Sequence, residues 1–73
     1  MKEVFIQILE HSEADYEIVR APFGTQIEVF EIGLDYREVI SWLNKNCFSI
    51  TTLANINSVE YELRDCFVLV HGF

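Results

Sequence analysis

The stretch LDYREVISWLNKNC, from Leu34 to Cys47, is the only part of the chain with the clear pattern of an α-helix. Asp35 and Glu38 form an acidic variant of the capping box, and Asn46 suits a left-handed helix end. Helical spacing places five apolar side chains on one stripe: Tyr36, Val39, Ile40, Leu43 and Cys47. The chain therefore has one predicted helix with one face directed at a core.

Trp42, the only tryptophan, lies on the flank of that stripe, about 120° from its centre. In one interpretation its ring folds over the edge of a sheet and closes the core. In the other it is a partly exposed anchor at an interface, where tryptophan is over-represented among the residues that dominate binding. The sequence leaves both interpretations open.

Two segments before the helix are predicted to be extended. Residues 3–11, EVFIQILEH, are apolar on both sides of an alternating pattern, which favours a central strand. Residues 15–32, DYEIVRAPFGTQIEVFEI, predict a hairpin whose turn contains Pro22 and Gly24. With residues 23 and 24 at the tip, two faces follow: Tyr16, Ile18, Ile27 and Val29 on one, and Glu17, Val19, Glu28 and Phe30 on the other.

A second hairpin is predicted after the helix, in SVEYELRDCFVLVHGF, residues 58–73. With Arg64 and Asp65 at its tip, one face is apolar: Val59, Tyr61, Leu63, Cys66, Val68 and Val70. The other face is mixed: Glu60, Glu62, Phe67 and Leu69. The intervening residues 48–57 are rich in β-branched side chains but interrupted by polar ones, so a strand there is left open.

These elements predict one α+β domain over residues 1–73, with a small antiparallel sheet of about five strands and one helix packed on one face. The order is three strands, the helix, and two strands. Strand order across the sheet is not determined by the pattern. It decides whether Glu17, Glu28, Glu60 and Glu62 form one acidic patch or two.

The net charge of the chain limits the classes of partner that it can bind. Twelve carboxylates against five lysines and arginines give a net charge of −7, which disfavours direct binding to nucleic acid or to anionic membranes. The sequence has no secretory signal pattern and no long apolar run, so a cytoplasmic location with reduced cysteines is expected.

Motifs for chemistry are not apparent. His11, His71, Cys47 and Cys66 lack the spacing of metal ligands, and no nucleophile motif or phosphate-binding loop is present. We therefore expect no enzyme activity, no catalytic residues, no metal and no cofactor.

Two functions remain for a small acidic protein with apolar side chains on its second sheet face. The first is an inhibitor or modulator that mimics nucleic acid and occupies a basic, nucleic-acid-binding surface of a larger protein. Phages and other mobile elements often encode such proteins, including anti-CRISPR and anti-transcription factors. The second is a structural subunit whose apolar surface is buried in a homodimer or a larger complex. Seven residues are predicted to bind the partner: Glu17, Glu28, Phe30, Trp42, Glu60, Glu62 and Phe67.

Overall fold

The computed structural model describes residues 1–72 and shows a small α+β fold. Its elements are α1 (Lys2–His11), β1 (Asp15–Ala21), β2 (Gly24–Glu31), α2 (Tyr36–Asn46), β3 (Ser49–Leu53), a 3₁₀ turn (Ala54–Ile56), β4 (Ser58–Glu62) and β5 (Phe67–His71). The five-stranded sheet and the α+β class are confirmed. Two helices replace the single predicted one.

The sheet has the order β1-β2-β5-β4-β3. Three neighbouring pairs are antiparallel, whereas β2 and β5 run parallel. The parallel pair arises because the chain leaves β2, forms α2, β3 and β4, and returns along the other side of β2 as β5. A strand from the end of the described chain therefore occupies the centre of the sheet.

The prediction of a central strand over residues 3–11 is wrong, because the whole of this segment lies in α1. Phe5 and Leu9 are one helical turn apart and both are fully buried. Ile6 and Ile8 pack partly against the same core, while Val4 is 49% exposed. A short apolar run fits a buried helix as well as a buried strand, and only the tertiary partners distinguish the two.

The N-terminus of α1 is capped from a distant turn. The backbone N–H of Lys2 donates to both carboxylate oxygens of Asp65, at 3.1 and 3.0 Å. Asp65 lies in the turn between β4 and β5, so it fixes the start of the helix against the sheet. A carboxylate at this end also complements the helix dipole.

The first hairpin forms, with its tip shifted by one residue. Ala21 pairs with Gly24, so Pro22 and Phe23 occupy the tip, and Ile18 pairs with Ile27 instead of Val29. Proline suits the first central position of a tight turn, which explains the shift. Each residue changes its partner by two positions, so the predicted division into two faces is preserved.

The second hairpin has the predicted register. Glu62 pairs with Phe67, and the N–H of Leu63 donates to the Cys66 carbonyl at 2.9 Å, which places Arg64 and Asp65 at the tip. The ambiguous segment before it contains β3, which pairs antiparallel with β4.

Helix α2 ends at Asn46 as predicted, but both of its termini differ in detail. Asp35 stands at the N-cap position, yet its side chain makes no capping hydrogen bond to any described residue. Asn46 is helical, and its Nδ2 donates to the Trp42 carbonyl at 2.8 Å. Cys47 then continues in an extended conformation. The apolar stripe is centred on Val39 and Leu43, which are fully buried.

Both helices pack on the same face of the sheet. The buried core joins the two helices, the apolar faces of both hairpins and the loop after β2: Phe5, Leu9, Ile27, Val29, Ile32, Val39, Leu43, Tyr61, Leu63, Cys66, Val68 and Val70. These residues include most of the apolar sets predicted from strand alternation. The opposite side of the sheet, called the open face below, points away from the helices.

A close junction joins the end of α1 to the start of α2. The Ser12 hydroxyl donates to the Ile32 carbonyl and accepts from the Asp35 N–H at 3.3 Å, while the Ser12 carbonyl accepts from the Leu34 N–H at 3.1 Å. Gly33 has φ +90°, and a Cβ there would lie 2.4 Å from the Ser12 carbonyl oxygen. The junction therefore depends on a glycine at this position.

Candidate functional site on the open face

The open face carries six of the seven predicted binding residues. They come from four different strands: Glu17 from β1, Glu28 and Phe30 from β2, Glu60 and Glu62 from β4, and Phe67 from β5. Side-chain alternation places them on one side, because their neighbours in sequence are the core residues on the other side. The strand order thus assembles residues that are as many as 50 positions apart in sequence.

One row of paired residues crosses the whole sheet and carries three of the glutamates. Glu17 pairs with Glu28, Glu28 with Leu69, Leu69 with Glu60, and Glu60 with Thr51. With strands about 4.8 Å apart, Glu28 and Glu60 are separated by roughly 10 Å at the backbone. The acidic residues therefore share one face, on which Leu69 of β5 lies between Glu28 of β2 and Glu60 of β4.

Glu17 and Glu28 are a like-charged pair directly opposite each other on antiparallel strands. Such pairs are destabilising by several tenths of a kcal/mol, up to about 1 kcal/mol. Glu28 has a compensating partner, because its Oε2 lies 2.6 Å from Nε2 of His71. Glu17 is exposed to solvent at the edge strand. The sheet accommodates this repulsion by holding one carboxylate against a histidine.

His71 connects Glu28 to Ser58. Its Nδ1 lies 2.8 Å from the Ser58 Oγ, and the Ser58 hydroxyl donates to the Ile56 carbonyl at 3.0 Å. The Ser58 hydroxyl, the His71 imidazole and the Glu28 carboxylate therefore form one continuous chain of polar contacts.

The side chains of Ser58, His71 and Glu28 are the residue types of a hydrolase triad, and they contact one another in that order. Ser58 is 1% exposed, so its oxygen is closed to a substrate. The network instead holds the Glu28 carboxylate in place on the open face.

Aromatic side chains supply the apolar part of the face. Phe30 is 44% exposed, and its ring stacks on the His71 imidazole with centroids 5.4 Å apart and planes 7° apart. Phe67 is half-buried because Phe23, from the tip of the first hairpin, packs edge-on against it at 5.0 Å. Phe23 itself is 59% exposed. The face thus presents carboxylates around exposed aromatic rings.

Trp42, the seventh predicted residue, lies on the helical side of the molecule. Its ring stacks on Phe5 of α1, with centroids 5.4 Å apart and planes 22° apart. It is half-buried, and its exposed side lines a shallow groove along α2 with the side chains of Arg37 and Lys45. Trp42 packs against the core through α1, so it does not belong to the open face.

Sequence reasoning did not place His71 and Leu69 among the binding residues. Alternation along β5 already set Phe67, Leu69 and His71 on one side of that strand. The missing information was the parallel pairing of β5 with β2, which puts Glu28 opposite Leu69 and within reach of His71.

Two further features, a metal-binding cluster and a membrane-spanning helix, were not found among the described residues. Within residues 1–72, no three His, Cys, Asp or Glu side chains are grouped so that they could hold a metal ion. None of the helices in this range is long and apolar enough to span a membrane. Comparison with protein-family models, with curated proteins and with solved structures finds no match to this chain.

Proposed function

We propose that this protein is a small acidic inhibitor or modulator that binds a basic, nucleic-acid-binding surface of a larger protein through its open face. The observation that carries the proposal is the row of Glu17, Glu28 and Glu60 across the sheet, with Glu62 next to it on β4. We propose that the protein belongs to the class of small inhibitors that phages encode, which includes anti-defence proteins.

The spacing of the carboxylates supports this proposal. Glu60 and Glu62 are two residues apart on one strand, which separates them by about 7 Å, while neighbouring strands add steps of about 5 Å. Arginine and lysine that bind phosphates also bind carboxylates, and arginine does so with the same two-pronged geometry. Carboxylates that project from several strands of one sheet face therefore suit a groove lined by such side chains.

The apolar residues among the carboxylates supply a second part of the binding free energy. Phe30 and Leu69 would lose solvent contact against a partner, and buried apolar area contributes about 25 cal/mol per Å². Charges on the surrounding strands would orient the partner and speed its association. This division predicts that salt weakens binding without abolishing it.

The proposal is tested by capturing partners from nuclease-treated bacterial lysate on the tagged protein and washing with rising salt. We expect to capture a nucleic-acid-handling protein, and the amount retained should decrease as salt increases, because counter-ions screen the charged contacts. The double substitution Glu60→Lys and Glu62→Lys should abolish its capture. The matched control, Glu3→Lys with Glu38→Lys, makes the same change in net charge on the helical side and should retain capture. Equal loss in both variants would contradict a role for the open face.

A second candidate is a structural subunit whose open face is covered by another copy or by a larger complex. The exposure of Phe23 and Phe30 on the same face favours it. Sedimentation velocity distinguishes the two candidates. Self-association that resists salt and is lost in Phe30→Ala would support assembly, and a monomer at all concentrations would reject a homodimer.

A further inference from the structure

The two edges of the sheet differ in how they discourage pairing with another strand. β1 carries Asp15, Glu17 and Arg20, and its register with β2 shifts at Asp15 and Tyr16. Charges and irregular pairing are the usual means of protecting an edge. β1 is therefore a protected edge.

β3 has none of these protections. Its sequence is Ser-Ile-Thr-Thr-Leu, without charge or proline, and all five residues pair with β4 in an unbroken register. In the described part of the chain it is the last strand on its side of the sheet, so half of its backbone N–H and C=O groups face outward. Four of its five residues are exposed. The outer edge of β3 can therefore form backbone hydrogen bonds with a further strand.

The side chains of β3 indicate what such a strand would carry. On the open face, Ser49 and Thr51 are small and lie beside Glu62 and Glu60 of β4. On the helical side, Ile50 is 51% exposed, and Phe48 just before the strand is 67% exposed. One side of an added strand would thus meet carboxylates across small hydroxyl residues, and its other side would meet apolar surface.

We propose that the β3 edge binds an extended segment of a partner protein whose side chains alternate between basic and apolar residues. The backbone of this segment would extend the sheet by one strand. Its lysines or arginines would reach over Ser49 and Thr51 to Glu60 and Glu62, about 10 Å away at the backbone. Its apolar residues would cover Ile50 and Phe48. This inference rests on the proposed function, because it names the chemistry of the partner of that face.

A second copy of this chain fits the edge less well. Its own β3 contains no lysine or arginine to meet Glu60 and Glu62, and each copy has a net charge of −7. Two β3 strands could still align around Thr51, so self-pairing is measured as a separate outcome.

The experiment uses a labelled nine-residue peptide of alternating lysine and valine, with binding measured by fluorescence anisotropy at low salt. Hydrogen exchange of the protein amides locates the contact. Two matched peptides carry N-methyl groups on one or the other set of alternate backbone amides. They keep the charge, but each can donate backbone hydrogen bonds from only one of its two edges. We expect one of the N-methylated peptides to bind at least about tenfold more weakly than the unmodified peptide. The unmodified peptide should protect the backbone amides of β3 from hydrogen exchange.

Protein variants test the charged contacts separately. Glu60→Gln with Glu62→Gln should weaken binding of the unmodified peptide by about fivefold. The control Glu3→Gln with Glu38→Gln removes the same charge from the two helices and should leave binding nearly unchanged.

Three results would overturn the inference. Equal binding of all three peptides would mean that charge alone attracts them, which leaves the proposed function standing but rejects the β3 edge. No binding of any peptide would reject the edge as a site for basic strands. Concentration-dependent protection of β3 in the protein alone would assign the edge to a second copy.

Discussion

Replacement of Gly33 by alanine tests the junction between the two helices. Gly33 has φ +90°, and an added Cβ would lie 2.4 Å from the Ser12 carbonyl oxygen and 3.2 Å from that of Glu13. The first contact is closer than real Cβ atoms approach, and both partners are backbone atoms. The alanine therefore has to displace the end of α1 or the loop before α2.

The magnitude follows from two contributions. A non-glycine residue at this φ costs about 1–3 kcal/mol in backbone strain. Moving Ser12 also weakens its hydrogen bonds to Ile32, Leu34 and Asp35, each of which contributes about 1 kcal/mol. We expect a loss of about 2–4 kcal/mol from a total free energy of unfolding of about 4–11 kcal/mol for a chain of this length.

Urea unfolding followed by tryptophan fluorescence measures this loss, because Trp42 stacks on α1 and reports its detachment. The midpoint should fall by about 2–4 M at an unfolding slope near 1 kcal/mol per M. Gly72→Ala is the matched control: its φ is +85°, and among the described residues, its chain neighbours aside, no atom lies within 4 Å of the added Cβ. It carries similar backbone strain without the contact, so it should lose less stability. Equal losses in the two variants would refute the close contact as the cause.

Three further predictions concern α1, its cap and the cysteines. Leu9→Ala should lower the free energy of unfolding in urea by about 2–5 kcal/mol, whereas Gln7→Ala on the exposed side should change it by less than about 0.5 kcal/mol; similar small effects would contradict the helix. Although partial desolvation raises the pKa of Asp65, the Lys2 N–H and the Met1 amino group outweigh it and hold that pKa below its usual value. Asp65→Asn should therefore lower the free energy of unfolding by about 0.5–1 kcal/mol above pH 4. This difference from the unsubstituted protein should disappear as the pH falls below 4 and Asp65 becomes protonated. A difference that is independent of pH would contradict the cap. Burial, with a smaller effect from Asp65, raises the pKa of the Cys66 thiol to about 11, so about 0.1% is thiolate at pH 8 and iodoacetamide should label it much more slowly than half-buried Cys47 by mass spectrometry.

The faces of the two hairpins followed from the sequence because side-chain alternation is a local property. A two-residue change in pairing at Pro22 left the sides of Ile18 and Ile27 unchanged. In the second hairpin even the register was predicted, since Arg64 and Asp65 are the only polar pair between two alternating strands. Six of the seven candidate binding residues were assigned to a common face on this basis.

The sequence alone did not distinguish a buried strand from α1, because every residue from Val4 to Leu9 except Gln7 is apolar. It also could not place Trp42, whose ring found its partner in Phe5 of that same helix. Both depend on contacts between segments far apart in the chain.

Composition and alternation determined an acidic α+β protein with one mixed sheet face. Tertiary structure decided that β5 lies between β2 and β4, and this single placement aligned Glu28 with Glu60 and paired Glu28 with His71. It also left β3 at an edge of the sheet. Strand order is decided by how all the segments pack together, and no local pattern records it.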